Sequence, residues 1–333
     1  MARRPRIALT LGDPCGIGPE LLVRCLPGLM ERSEVTVLGA RRALEILPPH
    51  PGAHWAWEGG SLHVTFEGRQ GRATWIDPGT PDLDTLRPGH LCAAGGRCAL
   101  QAVELGARRV MEGLEDVLVT LPLNKAAVHL AGSAIPGHTE FLRDLAGVPE
   151  VRMAFVSPTL SVVLHTVHQS LRSVVETLDA SAVAHTLTFT ARHFAPLLDR
   201  KPLRIALAAL NPHAGEDGAF GREETILEEA LRLARAEGHS EVDFSGPHPA
   251  DSLFLRAWQG HFDVVVALYH DQGLIPLKLI EPTRAVNLTL GLPFIRTSPD
   301  HGTAFDIAGR WMASADNLES ALDLALRLAP TRD

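Results

Sequence analysis

The stretch YHDQGLIPLK, residues 269–278, sets the chain's single tyrosine beside His270, Asp271 and Gln272, with Lys278 a few residues on. An imidazole next to a carboxylate can carry a proton or hold a metal, and a lysine offers a point charge to an anion. The preceding run FDVVVAL is short, β-branched and apolar, the pattern of a buried strand. Polar groups at the end of such a strand sit where α/β proteins bind ligands. Four more histidines stand in similar settings: His138 in PGHTEF, His168 in LHTVHQSL, His213 in NPHAGEDG and His301 in DHGTAFD. His168, His213 and His270 are each isolated in sequence. No clustered zinc spacing exists, and for each one alone a hydrogen-bonded loop histidine is the favoured reading.

Anion-binding candidates come next. Lys125 in PLNKAA and Thr139 after His138 open predicted helices, whose free N–H groups favour phosphate or carboxylate. Lys278, Asn287 in VNLTLG and Arg296 in PFIRTS follow within one stretch of the second half. Arginine can clamp an anion with two parallel hydrogen bonds. GDPCGIGPE, residues 12–20, has the spacing G-x-x-x-G-x-G, so the dinucleotide fingerprint G-x-G-x-x-G is not met. The P-loop and the nucleophile elbow G-x-S-x-G are absent too. Cys15 lies among these glycines with no base beside it.

The elements that must position these residues alternate. Strands are predicted at 6–12, 116–122, 203–210 and 263–269, and helices at 19–30, 99–113 and 222–238. This repetition indicates an α/β protein with a largely parallel sheet. Residues 48–90, rich in Pro and Gly with alternating pieces such as LHVTFEG, read as a hairpin or connecting arm.

At 333 residues the chain is long enough for two domains. Its net charge of −8 argues against a general nucleic-acid binder. Its 4 cysteines all lie in the first third without a C-x-x-C pair, which fits a reducing cytoplasm better than a disulfide framework. No apolar run approaches the roughly 20 residues of a bilayer span.

Taken in order, LTLGDPCGIGPE, VTLPLNKAA, IPGHTEFL, ALNPHAGEDGAFGREE, GPHPADSLF, VALYHDQGLIPLK and VNLTLGLPFIRTSPDHGTAFDIAG closely resemble the 4-hydroxythreonine-4-phosphate dehydrogenases of pyridoxal phosphate biosynthesis. The resemblance runs almost the whole chain. It implies a two-domain α/β fold like that of isocitrate and isopropylmalate dehydrogenases, with a cleft between the domains. Residues 1–130 plus 285–333 would form the first domain and 131–284 the second. It implies a divalent metal (zinc, magnesium or cobalt) on His168, His213 and His270. Substrate contacts would fall on His138, Thr139, Lys278, Asn287 and Arg296. Asp251, Asp271 and Lys278 are the candidates for the base, with none chosen. NAD, with NADP left open, would bind near 300–309 through His301, Gly302, Thr303 and Asp306. A cytoplasmic homodimer sharing its active sites between subunits is implied as well.

The implied reaction oxidises 4-phosphooxy-L-threonine at C3, and the β-keto acid formed loses CO2 to give 3-amino-2-oxopropyl phosphate. One departure stands out: the family's T-T-H-I-P-L is TVHQSL here, residues 166–171, which changes the loop presenting His168. Alternatives are a sister dehydrogenase acting on a four-carbon sugar-acid 4-phosphate, or a metal-dependent hydrolase or acyltransferase on the same scaffold.

Overall fold

The structure is a computed structural model that describes residues 3–135, 137–198 and 201–330. The chain forms two compact units: one runs through Val151 and resumes at Val286, and the other spans Arg152–Ala285. The sequence-based boundary of 130/131 differs from this. Helix His138–Ala146 packs into the first unit, because Leu142, flanked by Phe141 and Leu145, meets Ala102, Val103 and Leu118 there.

The first unit opens with β1 (Arg6–Thr10), β2 (Glu34–Leu38), β3 (Ala53–Glu58), β4 (Ser61–Phe66), β5 (Arg69–Ile76) and β6 (Val117–Thr120). The second unit supplies β7 (Arg152–Val156), β8 (Ser161–Leu164), β9 (Leu203–Ala208), β10 (Val242–His248) and β11 (Val264–Ala267). The chain then returns to the first unit as β12 (Val286–Leu290) and β13 (Ile295–Pro299). In the first unit β13, β6, β1, β2 and β5 lie side by side and parallel. β12 borders β13 antiparallel, and β4 and β3 extend β5 antiparallel, so residues 53–76 form a three-stranded meander. In the second unit β10, β9, β11 and β8 are parallel and β7 is antiparallel to β8.

The central strands are mostly apolar because helices cover both faces. Every residue of β6 and of β11 is buried. Each unit pins the entry of two of these strands in the same way. Arg6 donates from its backbone N–H and guanidinium to Asp116, which precedes β6, with Nη2–Oδ1 at 2.9 Å. Arg204 does so to Asp263, which precedes β11, at 2.8 Å. Clamping the amino ends leaves the carboxyl ends to carry longer loops, the usual location of ligand sites in such sheets. Gly12, two residues past β1, has φ +70°, and any side chain there would strike Pro122 O, so the chain leaves β1 through glycine.

Candidate active site

In the second unit β8, β9 and β11 run parallel, so the loops bearing His168, His213 and His270 leave from one edge. Tyr269–Gln272, expected as a strand end, instead begins helix His270–Ile280, with Tyr269 at its N-cap. Pro276 inside that helix masks its periodicity in the sequence. Gln272 is the device that holds this turn. Its Oε1 accepts from Leu268 N at 2.7 Å and its Nε2 donates to Ala209 O at 2.7 Å, tying the exits of β11 and β9 together. The loop after β8 is strapped to the same place by His165 N to Ala267 O (2.8 Å) and Thr166 Oγ1 to Leu268 O (2.7 Å).

These straps bring the His168 and His270 rings to 6.2 Å between centroids. His270 Nδ1 lies 2.7 Å from Asp271 Oδ1. An ionised carboxylate only accepts, so it places the hydrogen on Nδ1 and leaves Nε2 as an electron-pair donor. His213 sits in a turn whose residues His213, Ala214, Glu216 and Asp217 have φ of 53°, 53°, 42° and 54°. Glu224 holds this left-handed turn by accepting from Asn211 N at 2.7 Å and Asn211 Nδ2 at 2.9 Å. His213 points by Phe220, 6.2 Å away between rings, and is exposed. Among the described residues no three His, Cys, Asp or Glu side chains converge closely enough to hold a metal. The three imidazoles fit a divalent ion in chemistry, and the structure does not gather them into one cluster.

In the first unit a second constellation forms around Arg296, which is only 2% exposed. Its Nε and Nη2 donate to Thr120 Oγ1 at 3.0 and 2.6 Å, and its Nη1 to Thr289 Oγ1 at 3.0 Å. Burial lowers its pKa to about 9, with the charge of Glu140 acting in the opposite direction. The guanidinium remains protonated at neutral pH. Asn287 pairs across from Ser298 and is two residues from Thr289, so it shares the strand face that Arg296 reaches. Its Oδ1 is buried with no partner.

His138 opens helix His138–Ala146, and its Nε2 is also buried without a partner, although the residue as a whole keeps some exposure. Burial first, then the charges of Arg296 and Lys125, hold its pKa well below the ordinary histidine range. It is therefore a neutral imidazole facing two cations. Thr139 follows it, buried, at the N-terminus of the helix. Lys125 opens helix Lys125–Leu130 behind the Asn124 cap. A buried guanidinium held by hydroxyls, a neutral imidazole and a helix N-terminus together form a place for an anion.

The remaining candidates are placed as follows. Lys278 is exposed in the last turn of helix His270–Ile280. Asp251 is exposed at the start of helix Ala250–Trp258, accepting from Ser252 N at 2.9 Å. In the 300–311 loop His301 Nδ1 contacts Gly302 O at 2.9 Å, and its Nε2 is buried unpartnered. Gly302 and Asp306 are exposed, whereas Thr303 is buried with its carbonyl accepting from Ile17 N. Cys15 is buried 3.9 Å from Cys92, and burial followed by the charge of Asp13 pushes its thiol pKa up, which suits no nucleophile. Sequence reading missed Thr120, Thr289, Glu140 and Glu224, and it named Gln272 without giving it a role. Only Gln272 had a local cue, its place in the YHDQG run.

A family profile described as "Pyridoxal phosphate biosynthetic protein PdxA" matches residues 59–325. The chain is 40% identical to a 4-hydroxythreonine-4-phosphate dehydrogenase of Geobacter metallireducens, over 98% of this chain and 96% of that one. It is also 40% identical to the D-threonate 4-phosphate dehydrogenase of Salmonella typhimurium, over 97% of this chain and 98% of that one. The crystal structure of a 4-hydroxythreonine-4-phosphate dehydrogenase from Klebsiella pneumoniae superposes with TM-score 0.84 at 38% identity, over 98% of this chain and 100% of that chain.

Proposed function

The chain belongs to the PdxA family of pyridoxal phosphate biosynthetic proteins, and we propose that it is a dehydrogenase that oxidises the C3 hydroxyl of 4-phosphooxy-L-threonine with NAD⁺. The observation that carries this reading is Arg296: a buried guanidinium whose hydrogen-bond partners are the neutral hydroxyls of Thr120 and Thr289. A buried cation hydrogen-bonded to neutral hydroxyls, with the charge of Glu140 offsetting only part of its burial, favours an anionic ligand.

In the proposed mechanism Arg296, Lys125 and the N–H groups at the start of helix His138–Ala146 bind the phosphate or the carboxylate. His138, kept neutral, directs its free Nε2 to a substrate hydroxyl or anionic oxygen. Asn287 turns its unpaired Oδ1 to a substrate donor, and Lys278 supplies a second point charge. His168, His213 and His270 would hold a divalent ion, whose chemistry is to lower the pKa of the C3 hydroxyl and of the oxygen that gains charge as CO2 departs. Neutral imidazoles favour zinc or cobalt over magnesium, which prefers oxygen ligands. Asp271 orients His270 through Nδ1. His301, Gly302, Thr303 and Asp306 would hold NAD⁺, whose chemistry is to accept the hydride that leaves C3. The hydroxyl proton goes to a base among Asp251, Asp271 and Lys278.

A second reading has its own support, the equal 40% identity to D-threonate 4-phosphate dehydrogenase. The substrate named there also carries a carboxylate at one end and a phosphate at the other, which Arg296 and its neighbours serve equally well. We further propose a cytoplasmic homodimer. Ile275 and Leu279, 64% and 82% exposed on helix His270–Ile280, supply apolar area for a second copy, and light scattering tests the assembly. No helix among the described residues is long and apolar enough to cross a membrane.

The test of function is absorbance at 340 nm with NAD⁺ or NADP⁺ and either phosphorylated acid, before and after chelation and metal return. Metal-dependent reduction with 4-phosphooxy-L-threonine supports the main reading. Reduction with D-threonate 4-phosphate alone moves the protein to the second. Turnover of an ester or acyl phosphate without nicotinamide reduction would replace both by a hydrolase or acyltransferase.

A further inference from the structure

The glycine-rich run GDPCGIGPE ends in Glu20, a carboxylate with no exposed surface on helix Gly18–Leu29. Its Oε2 accepts from Gly309 N at 3.0 Å and Trp311 N at 3.2 Å, while Oε1 is buried without a partner. Burial pushes its pKa up, and the backbone donors of Trp311, Ala313 and Gly309 pull it back down. Tying two loop amides with a buried carboxylate is an expensive way to close a loop, and it gives a rigid one.

The same run holds the other end of that loop. Ile17 N donates to Thr303 O at 3.0 Å. Gly16 allows this approach, because a Cβ there would lie 2.9 Å from Thr303 O. Between the two anchors the backbone takes up left-handed conformations at Ala304 (φ 43°) and Trp311 (φ 59°), which side-chain-bearing residues adopt at a cost. Trp311 is itself locked: its Nε1 donates to Pro48 O at 2.9 Å, its ring packs on His50 at 4.9 Å, and Arg24 donates to its carbonyl. Residues 303–311 are thus held at both ends and strained within, while Gly302 and Asp306 stay exposed.

We propose that Glu20 is a positioning residue for the dinucleotide: it fixes the 303–311 loop in the shape that presents Gly302, Thr303 and Asp306 to the cofactor. This rests on the cofactor reading of that loop given above. Glu20→Leu keeps the side-chain volume and removes the buried charge while releasing both amides. It should weaken NAD⁺ binding and raise its KM about 10- to 100-fold, as loss of hydrogen bonds to a charged group does. KM for the phosphorylated acid and kcat at saturation should stay within about threefold. Glu20→Gln, whose amide oxygen still accepts, should fall between Glu20→Leu and wild type.

Two measurements separate the possibilities: equilibrium titration with NAD⁺ and NADP⁺, and hydrogen exchange at Gly309 and Trp311 in the cofactor-free protein. If the wild type binds neither dinucleotide, the cofactor reading fails whatever Glu20 does. If the wild type binds and exchange at the two amides quickens in Glu20→Leu with affinity unchanged, the positioning role is overturned and Glu20 is a structural clasp. Unchanged exchange overturns it as well. Faster exchange with weaker dinucleotide binding, and intact binding of the phosphorylated acid, supports it. Should Glu20→Leu not fold, the same pair of measurements on Glu20→Gln decides.

Discussion

Asp13 carries a buried charge whose cost can be read as a function of pH. It is 1% exposed, its Oδ1 accepts from Cys15 N at 2.9 Å, and its Oδ2 is buried with no partner. Burial raises its pKa to about 6, and the Cys15 N–H only partly offsets this. In the unfolded chain the carboxyl titrates near the usual value of about 3.9. Between those values the folded state binds more protons than the unfolded one, so stability falls as pH rises from about 4 to about 6 and then levels off. A difference of about two pK units corresponds to about 3 kcal/mol at pH 8, shrinking to less than about 1 kcal/mol at pH 4.

Asp13→Asn keeps the acceptor for Cys15 and deletes the titration. It also places an amide NH2 where Oδ2 has no partner, at a cost of about 1–3 kcal/mol that does not depend on pH. The absolute stability of the variant can therefore move either way. The change with pH cannot. The stability of the variant relative to wild type, from urea unfolding, should improve by about 2 kcal/mol between pH 4 and pH 8. A flat difference over that range would show that Asp13 is ionised at no unusual cost, and a trend in the opposite direction would refute the burial argument outright.

Arg296→Met should leave the fold intact and raise KM for the phosphorylated acid about 30-fold or more. Removing one partner of a buried charge pair costs about 2–5 kcal/mol, and steady-state kinetics reads it. A large loss of kcat at unchanged KM would mean that Arg296 acts on the transition state rather than on binding. Gln272→Leu strands Leu268 N and Ala209 O and should destabilise by about 2–4 kcal/mol in chemical denaturation. Divalent metal affinity, measured by titration, should fall with it, because the exits of β9 and β11 lose their tie. An unchanged metal affinity would separate Gln272 from the placement of His168 and His270.

The alternation of strands and helices could be read from the sequence because buried parallel strands and amphipathic helices each leave a local period. The meander of residues 53–76 was visible only as a hairpin or arm, since β5 also pairs parallel with β2, far away in sequence. The histidines could be picked out by type and setting. Their grouping could not: His168 and His270 meet only because β8 pairs with β11 and Gln272 ties β11 to β9. Nothing in NPHAGEDG, beyond its glycines, announces a run of left-handed residues at His213. Arg296 looked like one charge near a strand, yet its partner Thr120 lies 176 residues away, and the fold seals its guanidinium from water. GDPCGIGPE makes the same point from the other direction. Its glycines announced close approach of backbone, and the approach is real, at Thr303 and Pro122. What the glycines leave unsaid is that the two carboxylates among them, Asp13 and Glu20, are the groups being enclosed. Local spacing tells where a chain can come close to something. Which polar group is then sealed from water is decided by the long-range pairing that brings the something there.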